Sequence, residues 1–566
     1  MDGPREGLAG RGYGVIALRR GRIVLPLMFL AVAFAWPFAN TVRVGLGWGG
    51  EGLLTPFVEA AGDPYLRGRF LFTVWQAALS TILALLFGLP SAYVFARHRF
   101  AGRGILLAAI TIPFILPPIV IALGLLSLLG PSGVVNTALI NVFGFGQPPV
   151  QLLNTFAIIL IAHVVYEYAI VVRLISTFWA NLDPAVNEAA ALLSASPRRV
   201  FLTVTAPLLA PAIAAAAALV FMFTFTSFGI ILILGAPEHA TLEVEIYTLM
   251  TRLFRPQTAA ALALTQLVAT LGMLWVYVRL QDAAVNRIRL RARAAAPARA
   301  STPADYTLRL GAVAAVVLVL SPLLALLLRS FGIPGGFGLD GYEAIFSNAR
   351  NEYFYISPVA AIRNSLGFAV ATVLLAVPLG VLAAYGLRNP RAWWRNPLDA
   401  LYMLPLGVSA VTLGLGYLLS LRVGTFDVRT TLVPIVLAHT LIAYPFVIRV
   451  VLSTLRAMRP HLREAASVLG ASPVRVVTRI DLPILSRAIL VGAVFAFAVS
   501  LGEFGATLLL NRPEYTTMPV AILGYLTRPG AANLASALAM STVLMIVAGA
   551  GFFLIERARY RGWGEF

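Results

Sequence analysis

The sequence predicts an all-α polytopic membrane protein of about twelve transmembrane helices, arranged as two parallel homologous six-helix halves. Three observations carry this. Of 566 residues, 59% are hydrophobic and only 12% are charged, against roughly a quarter charged in an ordinary soluble domain. Apolar runs long enough to cross a hydrocarbon core, about 20 helical residues, recur from end to end. Finally, distinctive residues of the first part return at a constant distance in the second.

Every backbone group inside a bilayer must be satisfied internally, which leaves helices or a closed barrel. A barrel would show alternating segments of about ten residues, and none dominates. The apolar windows place spans near 23–44, 70–96, 104–129, 153–178, 206–235 and 257–280, then near 309–331, 363–388, 396–421, 429–453, 484–510 and 535–556.

The formal charge of +19 invites a nucleic-acid reading, but the positive residues sit in short loops between apolar runs rather than in a basic domain. No nucleic-acid partner is expected. All of this positive charge is arginine, since lysine is absent. Arg97 to Arg103, Arg198 and Arg199, Arg287 to Arg309, and Arg557, Arg559 and Arg561 fall on one side of the span scheme. Positive loops face the cytoplasm, so both termini are expected inside. Cysteine is absent, excluding disulfides and thiolate metal sites. Arg19, Arg20 and Arg22 before an apolar run could open a signal peptide; because the run continues past Trp36 and Pro37, a retained anchor is preferred.

These signals divide the chain into a cytoplasmic tail (1–22), a first half (23–280), a linker rich in Ala, Pro and Arg (281–308), a second half (309–556) and a tail (557–566). Ala162-His163, Tyr168, Arg173, Pro184, Glu188-Ala189-Ala190, Pro197, Pro207, Phe228-Gly229 and Pro237-Glu238 return 276 residues later. Their partners are Ala438-His439, Tyr444, Arg449, Pro460, Glu464-Ala465-Ala466, Pro473, Pro483, Phe504-Gly505 and Pro513-Glu514. Earlier in each half the offset is 292, pairing Pro113 with Pro405 and Gly124 with Gly416. So regular an offset marks internal duplication, and an even span count per copy makes the copies parallel.

Two cytoplasmic segments, about 181–207 and 457–483, stand out. The second contains Glu464-Ala465-Ala466, three residues, Gly470, nine residues, then Ile480, Leu482 and Pro483. The first repeats the frame in Glu188-Ala189-Ala190, Val204 and Pro207, with Ser194 for the glycine and Ala206 for the leucine. Where φ must be positive, serine fits the turn less well than glycine. The pattern resembles the signature loop of bacterial ABC importer permeases. The resemblance implies a short helix that docks into a separate ATPase. A surface connector rich in alanine is the plainer reading, but two copies in register with matching prolines favour coupling. A Walker A loop needs a lysine, so this chain is not expected to be its own motor: no catalytic residue, metal or cofactor of its own, with ATP and Mg on the partner.

Along the spans, Glu503 is a carboxylate in an apolar run, a functional candidate by default; its counterpart is Ser227. Ser227-Phe228-Gly229 and Glu503-Phe504-Gly505 are candidates for the translocation path, with Tyr168 and Tyr444. Against this, Glu503 could lie near an interface or pair with a polar neighbour. His163 and His439 read first as interhelical packing. Glu167 has no acidic counterpart, Ala443 standing in its place. Arg173 and Arg449 read equally as interface anchors and as supports for the coupling segments. Residues 237–247 and 513–523 read as an outer rim exposing Glu238, Glu243, Glu245 and Glu514 to a docking protein.

Most of the chain is similar to the fused two-half permeases of the ferric-iron and thiamine importer group, as in Trp75-Gln76-Ala77, Ala162-His163 and Thr241 to Tyr247. This resemblance implies an extracytoplasmic binding protein, two ATPase copies and ferric iron or thiamine as cargo. The alternative is a twelve-span secondary transporter driven by an ion gradient, but Arg97 to Arg103 lacks the acid that its loop motif requires. A channel would leave the duplicated loops unexplained.

Overall fold

The computed structural model describes residues 22–48, 52–182, 196–288, 302–333, 336–346, 357–388, 393–420, 422–423, 426–458 and 461–560. Among these, eleven helices are long and apolar enough to span a membrane, and a pair bent by 92° brings the number to twelve when taken as one. The first half supplies α1 (Arg22–Gly45), α2 (Pro64–Arg97), α3 (Pro118–Leu129), α4 (Phe156–Ala180), α5 (Ala206–Phe225), α6 (Gly229–Leu234), α7 (Leu242–Thr251) and α8 (Pro256–Ile288). The second supplies α9 (Pro303–Ser330), α10 (Pro358–Gly386), α11 (Ala410–Ser420), α12 (Val433–Ala457), α13 (His461–Val468), α14 (Leu482–Gly502), α15 (Gly505–Leu510), α16 (Met518–Leu526) and α17 (Ala531–Tyr560). Two hairpins of two-residue strands are the strands found among the described residues.

Several windows that read as continuous are broken. The run expected at 104–129 becomes Arg103–Ala109, Ile112–Ile115 and α3. Leu116 (ψ 149°) and Pro117 (ψ 139°) each precede a proline, which drives the preceding residue out of the helical region. The expected 206–235 stops at Phe225 and resumes at Gly229, and 484–510 stops at Gly502 and resumes at Gly505. Hydropathy cannot register these breaks because both sides are apolar. The second half begins earlier than the expected 309: Thr302 and Asp305 form a reciprocal capping box, Asp305 N–H to Thr302 Oγ1 at 3.2 Å and Thr302 N–H to Asp305 Oδ2 at 3.1 Å.

The compact units do not follow the sequence halves. One gathers α1 up to Arg43 with α10 to α15; the other gathers α2 to α9 with residues 521–545. Each half has therefore given its leading helix to the unit built by the other half. In the unit of α10 to α15, α1 carries a π-helical turn at Ala31–Ala35, with Pro37, which has no N–H to give, just after it. The Tyr417 hydroxyl donates to Ala33 O at 2.6 Å from inside α11. Gly416, next to it, lets α11 close on α1: a Cβ there would lie 3.2 Å from the Pro37 oxygen. In the unit of α2 to α9, the same contact is made by Gly124 of α3, where a Cβ would lie 2.8 Å from the Pro322 oxygen of α9. The repeated glycine pair is thus the seat of both exchanged helices.

Candidate coupling segments and intramembrane polar sites

The second candidate segment is described from His461 to Pro483. Acidic Glu464 falls in the first turn of α13, where a carboxylate suits the positive helix end, and its Oε2 lies 3.2 Å from His461 Nδ1. Gly470 closes the helix at φ +79°, a conformation that glycine alone adopts without strain, with the Ala471 N–H donating to Ala466 O at 2.9 Å. Ser472 caps the next turn, accepting from the Arg475 N–H at 3.3 Å, with Pro473 at its start. Ala465 is exposed and Ala466 half-buried, while Val468 and Leu469 are 86% and 87% exposed. Ile480 is half-buried; Leu482 and Pro483 are exposed.

Of the first segment, Glu188, Ala189, Ala190 and Ser194 lie outside the described residues. From Ser196 onward the first copy matches the second in detail. A π-helical turn at Phe201–Thr205 leads into α5, and one at Val477–Asp481 leads into α14, at the 276-residue offset. Ser196 accepts from the Arg199 N–H at 3.4 Å, as Ser472 does from Arg475. Pro207 is exposed and Ala206 half-buried.

The last residue of each π turn is buried, and here the copies part. Asp481 receives a charge-assisted bond from Arg463 Nε of α13 at 2.7 Å and another from the Tyr385 hydroxyl of α10 at 2.9 Å. Its counterpart is Thr205. In the first copy Trp179 lies between Tyr93 and Phe201 instead, with ring centroids at 5.2 and 6.2 Å. Sequence reasoning passed over Asp481; the signal was an acid placed between the isoleucine and leucine of the motif. Arg449 pairs with Asp399 at 3.2 Å, and Arg173 is half-buried on α4.

Deeper in each unit a histidine ties three helices. His163 of α4 lies 3.0 Å from Ser80 Oγ of α2 and 2.9 Å from Ser227 Oγ, just past α5. In the other unit His439 of α12 lies 2.7 Å from Ser500 Oγ of α14 and 2.8 Å from Thr507 Oγ1 of α15, and Ser500 continues to Thr372 of α10 at 3.2 Å. Both histidines therefore bond across helices. Glu503, with 3% of its side chain exposed, is 3.2 Å from His439 Nε2. It accepts the backbone N–H groups of Ala506 at 2.8 Å and Thr507 at 2.9 Å, and also the Thr507 hydroxyl. The carboxylate thereby closes the break between α14 and α15. Phe228 and Gly229, like Phe504 and Gly505, are buried at these breaks. Tyr168 donates to Ser91 Oγ at 2.6 Å and Tyr444 to Tyr402 O at 2.5 Å, both inside the packed helices. Glu167 is buried with Oε2 unpartnered.

The outer rim differs from expectation. Glu238 and Glu514 are exposed, but Glu243 and Glu245 are buried. The reason is that α7 packs on α8, where Gln266 Nε2 donates to Glu243 at 2.6 Å, and reaches Tyr65 of α2, whose hydroxyl donates to Glu245 at 3.0 Å.

At the C-terminal end of α2, His98 joins α9. Arg309 Nε donates to His98 Nδ1 at 3.2 Å, and Nε2 faces Asp305 at 3.5 Å. A ring accepting at Nδ1 is neutral. Burial holds its pKa below the ordinary value; Asp305 pulls upward and Arg309 adds to the lowering. Between the folded pKa and the ordinary 6.5, the unfolded chain binds more protons, so this site's contribution is present above that window and is lost as pH falls through it. The midpoint of thermal unfolding should fall more steeply from pH 7.5 to 5.5 in the wild type than in H98Q. Equal slopes would remove His98 from the pH response.

The description "binding-protein-dependent transport system inner membrane component" matches residues 84–290 and 376–559, one stretch in each half. The thiamine transport system permease protein ThiP of Brucella abortus (strain 2308) is 29% identical over 543 residues, covering 94% of each chain. ThiP of Escherichia coli (strain K12) is 29% identical over 470 residues, 81% of this chain and 83% of that protein. The transport system permease protein PhnU of Salmonella paratyphi A is 29% identical over 256 residues, which is 45% of this chain but 89% of its own length. Nearly all of one relative thus fits within about half of this chain, as a duplicated architecture requires. The chain belongs to the inner-membrane components of binding-protein-dependent transport systems.

Proposed function

We propose that this permease imports thiamine, delivered on the outer face by a binding protein and driven by two copies of a cytoplasmic ABC ATPase. The ATPases seat on the two coupling segments and hold the ATP and Mg, since this chain has no lysine with which to build a phosphate loop. Both termini and the linker then face the cytoplasm, with the arginine-rich loops. The observation that carries the coupling reading is α13, which leaves Leu462, Val468 and Leu469 exposed beside Glu464 on a helix closed by a left-handed glycine. Clustered apolar exposure of that kind marks a partner surface. Thiamine is favoured over ferric iron by relatives of full length that carry thiamine in their names.

Substituting Glu188 and Glu464 together by alanine should reduce ATP-driven uptake of labelled thiamine at least about tenfold, the equivalent of ~1.4 kcal/mol of docking energy. ATPase co-purification should fall with it. Undiminished uptake in the double variant would sink the coupling reading. Uptake by the wild type that is indifferent to thiamine but responds to ferric iron would overturn the cargo.

A further inference from the structure

In the second half one buried carboxylate, Asp481, is shared by three elements: its own π turn leading into α14, α13 through Arg463 at 2.7 Å, and α10 through Tyr385 at 2.9 Å. Two more arginines surround the cluster. Arg22, at the start of α1, stands 5.2 Å from the Tyr385 ring centroid. Arg388, just past α10, experiences Asp481, Arg463 and Arg22 as charged neighbours. Asp481 is thus an acid set among arginines at the cytoplasmic ends of several helices. A carboxylate hydrogen-bonded on both oxygens and almost fully buried is a strong, directional joint, and removing one partner of such a pair is costly.

The first half cannot build this joint. At the corresponding positions the sequence has Asn187 for Arg463 and Thr205 for Asp481, although Tyr93 matches Tyr385.

Given the coupling role proposed for α13, we infer that Asp481 is a positioning residue that locks this helix to α10 and α14. Displacement of α13 then reaches the membrane helices of the second half directly. Displacing α13 by docking force must drag Asp481, because Arg463 is anchored to it, and Asp481 in turn moves the first turn of α14 and the Tyr385 end of α10. Without the joint, α13 still carries its exposed apolar residues and Glu464, so the ATPase still binds and turns over. Only the transmission is lost.

The test is the full chain co-expressed with its ATPase and binding protein and reconstituted in liposomes, with thiamine uptake and ATP hydrolysis measured on the same sample. D481N should lower thiamine imported per ATP hydrolysed about fivefold or more, while ATPase co-purification and hydrolysis stay near wild type. R463Q, on α13 itself, should reproduce the loss if D481N does not yield folded protein. R463Q/D481N should be no worse than either single variant, because one joint is broken only once. An unchanged ratio in folded D481N and R463Q overturns the inference. Failure of the parent reading has a different signature: uptake that survives the double change at Glu188 and Glu464.

Discussion

Replacing Glu503 by alanine should cost the protein its fold before it costs any transport. The carboxylate accepts two backbone N–H groups and lies against His439 in a site from which water is excluded. Deleting it strands those donors in the interior, and breaking a buried pair in this way costs about 3–5 kcal/mol. S227A, its counterpart in the first half, removes one hydroxyl bond to His163 and should cost only about 1 kcal/mol. The yield of monodisperse protein in detergent and its thermal midpoint separate the two. If E503A were as stable as S227A yet failed in uptake, the carboxylate would belong to the cargo path rather than to the break between α14 and α15.

The second large effect lies at the exchanged helices. G124A places a methyl 2.8 Å from the Pro322 oxygen and 3.0 Å from its carbonyl carbon, backbone atoms that cannot swing aside. Overpacking of this kind costs typically 1–3 kcal/mol, and α9 must move away from α3. G416A should be milder, since its nearest neighbours are the Thr41 hydroxyl at 3.0 Å and the Pro37 oxygen at 3.2 Å. Gly272 of α8 has nothing within 4 Å, so G272A should be neutral or stabilising by up to about 1 kcal/mol. The order of melting temperatures is expected to be G272A, then G416A, then G124A. A G124A midpoint equal to that of G272A would mean that α9 does not seat on α3 in solution.

Much of this architecture is legible in the chain. Apolar length fixes the spans, and the repeated Glu-Ala-Ala frames fix the duplication, because both are properties of single residues counted along a line. The turn at Gly470 was legible too, since glycine signals positive φ by chemistry. Partnership was not. Nothing in hydropathy says that α1 packs with α11 rather than with α3, although Gly124 and Gly416 already stood out as a repeated pair. Glu503 was legible as a charge in an apolar run but not as an acceptor for the backbone four residues on, which depends on a chain break that apolar flanks conceal. Glu243 and Glu245 misled for the converse reason. Acids beyond a span read as exposed, and only the placing of Gln266 and Tyr65 beside them makes burial tolerable.

The bond between the Tyr417 hydroxyl and the Ala33 carbonyl joins residues 384 positions apart. A ribosome adding about 5–20 residues per second makes α1 roughly 20–80 s before it makes Tyr417. Throughout that interval the nascent helix is without the tyrosine hydroxyl that meets its Ala33 carbonyl in the folded chain. An early helix is therefore completed late, by a tyrosine made 384 residues after the carbonyl it meets.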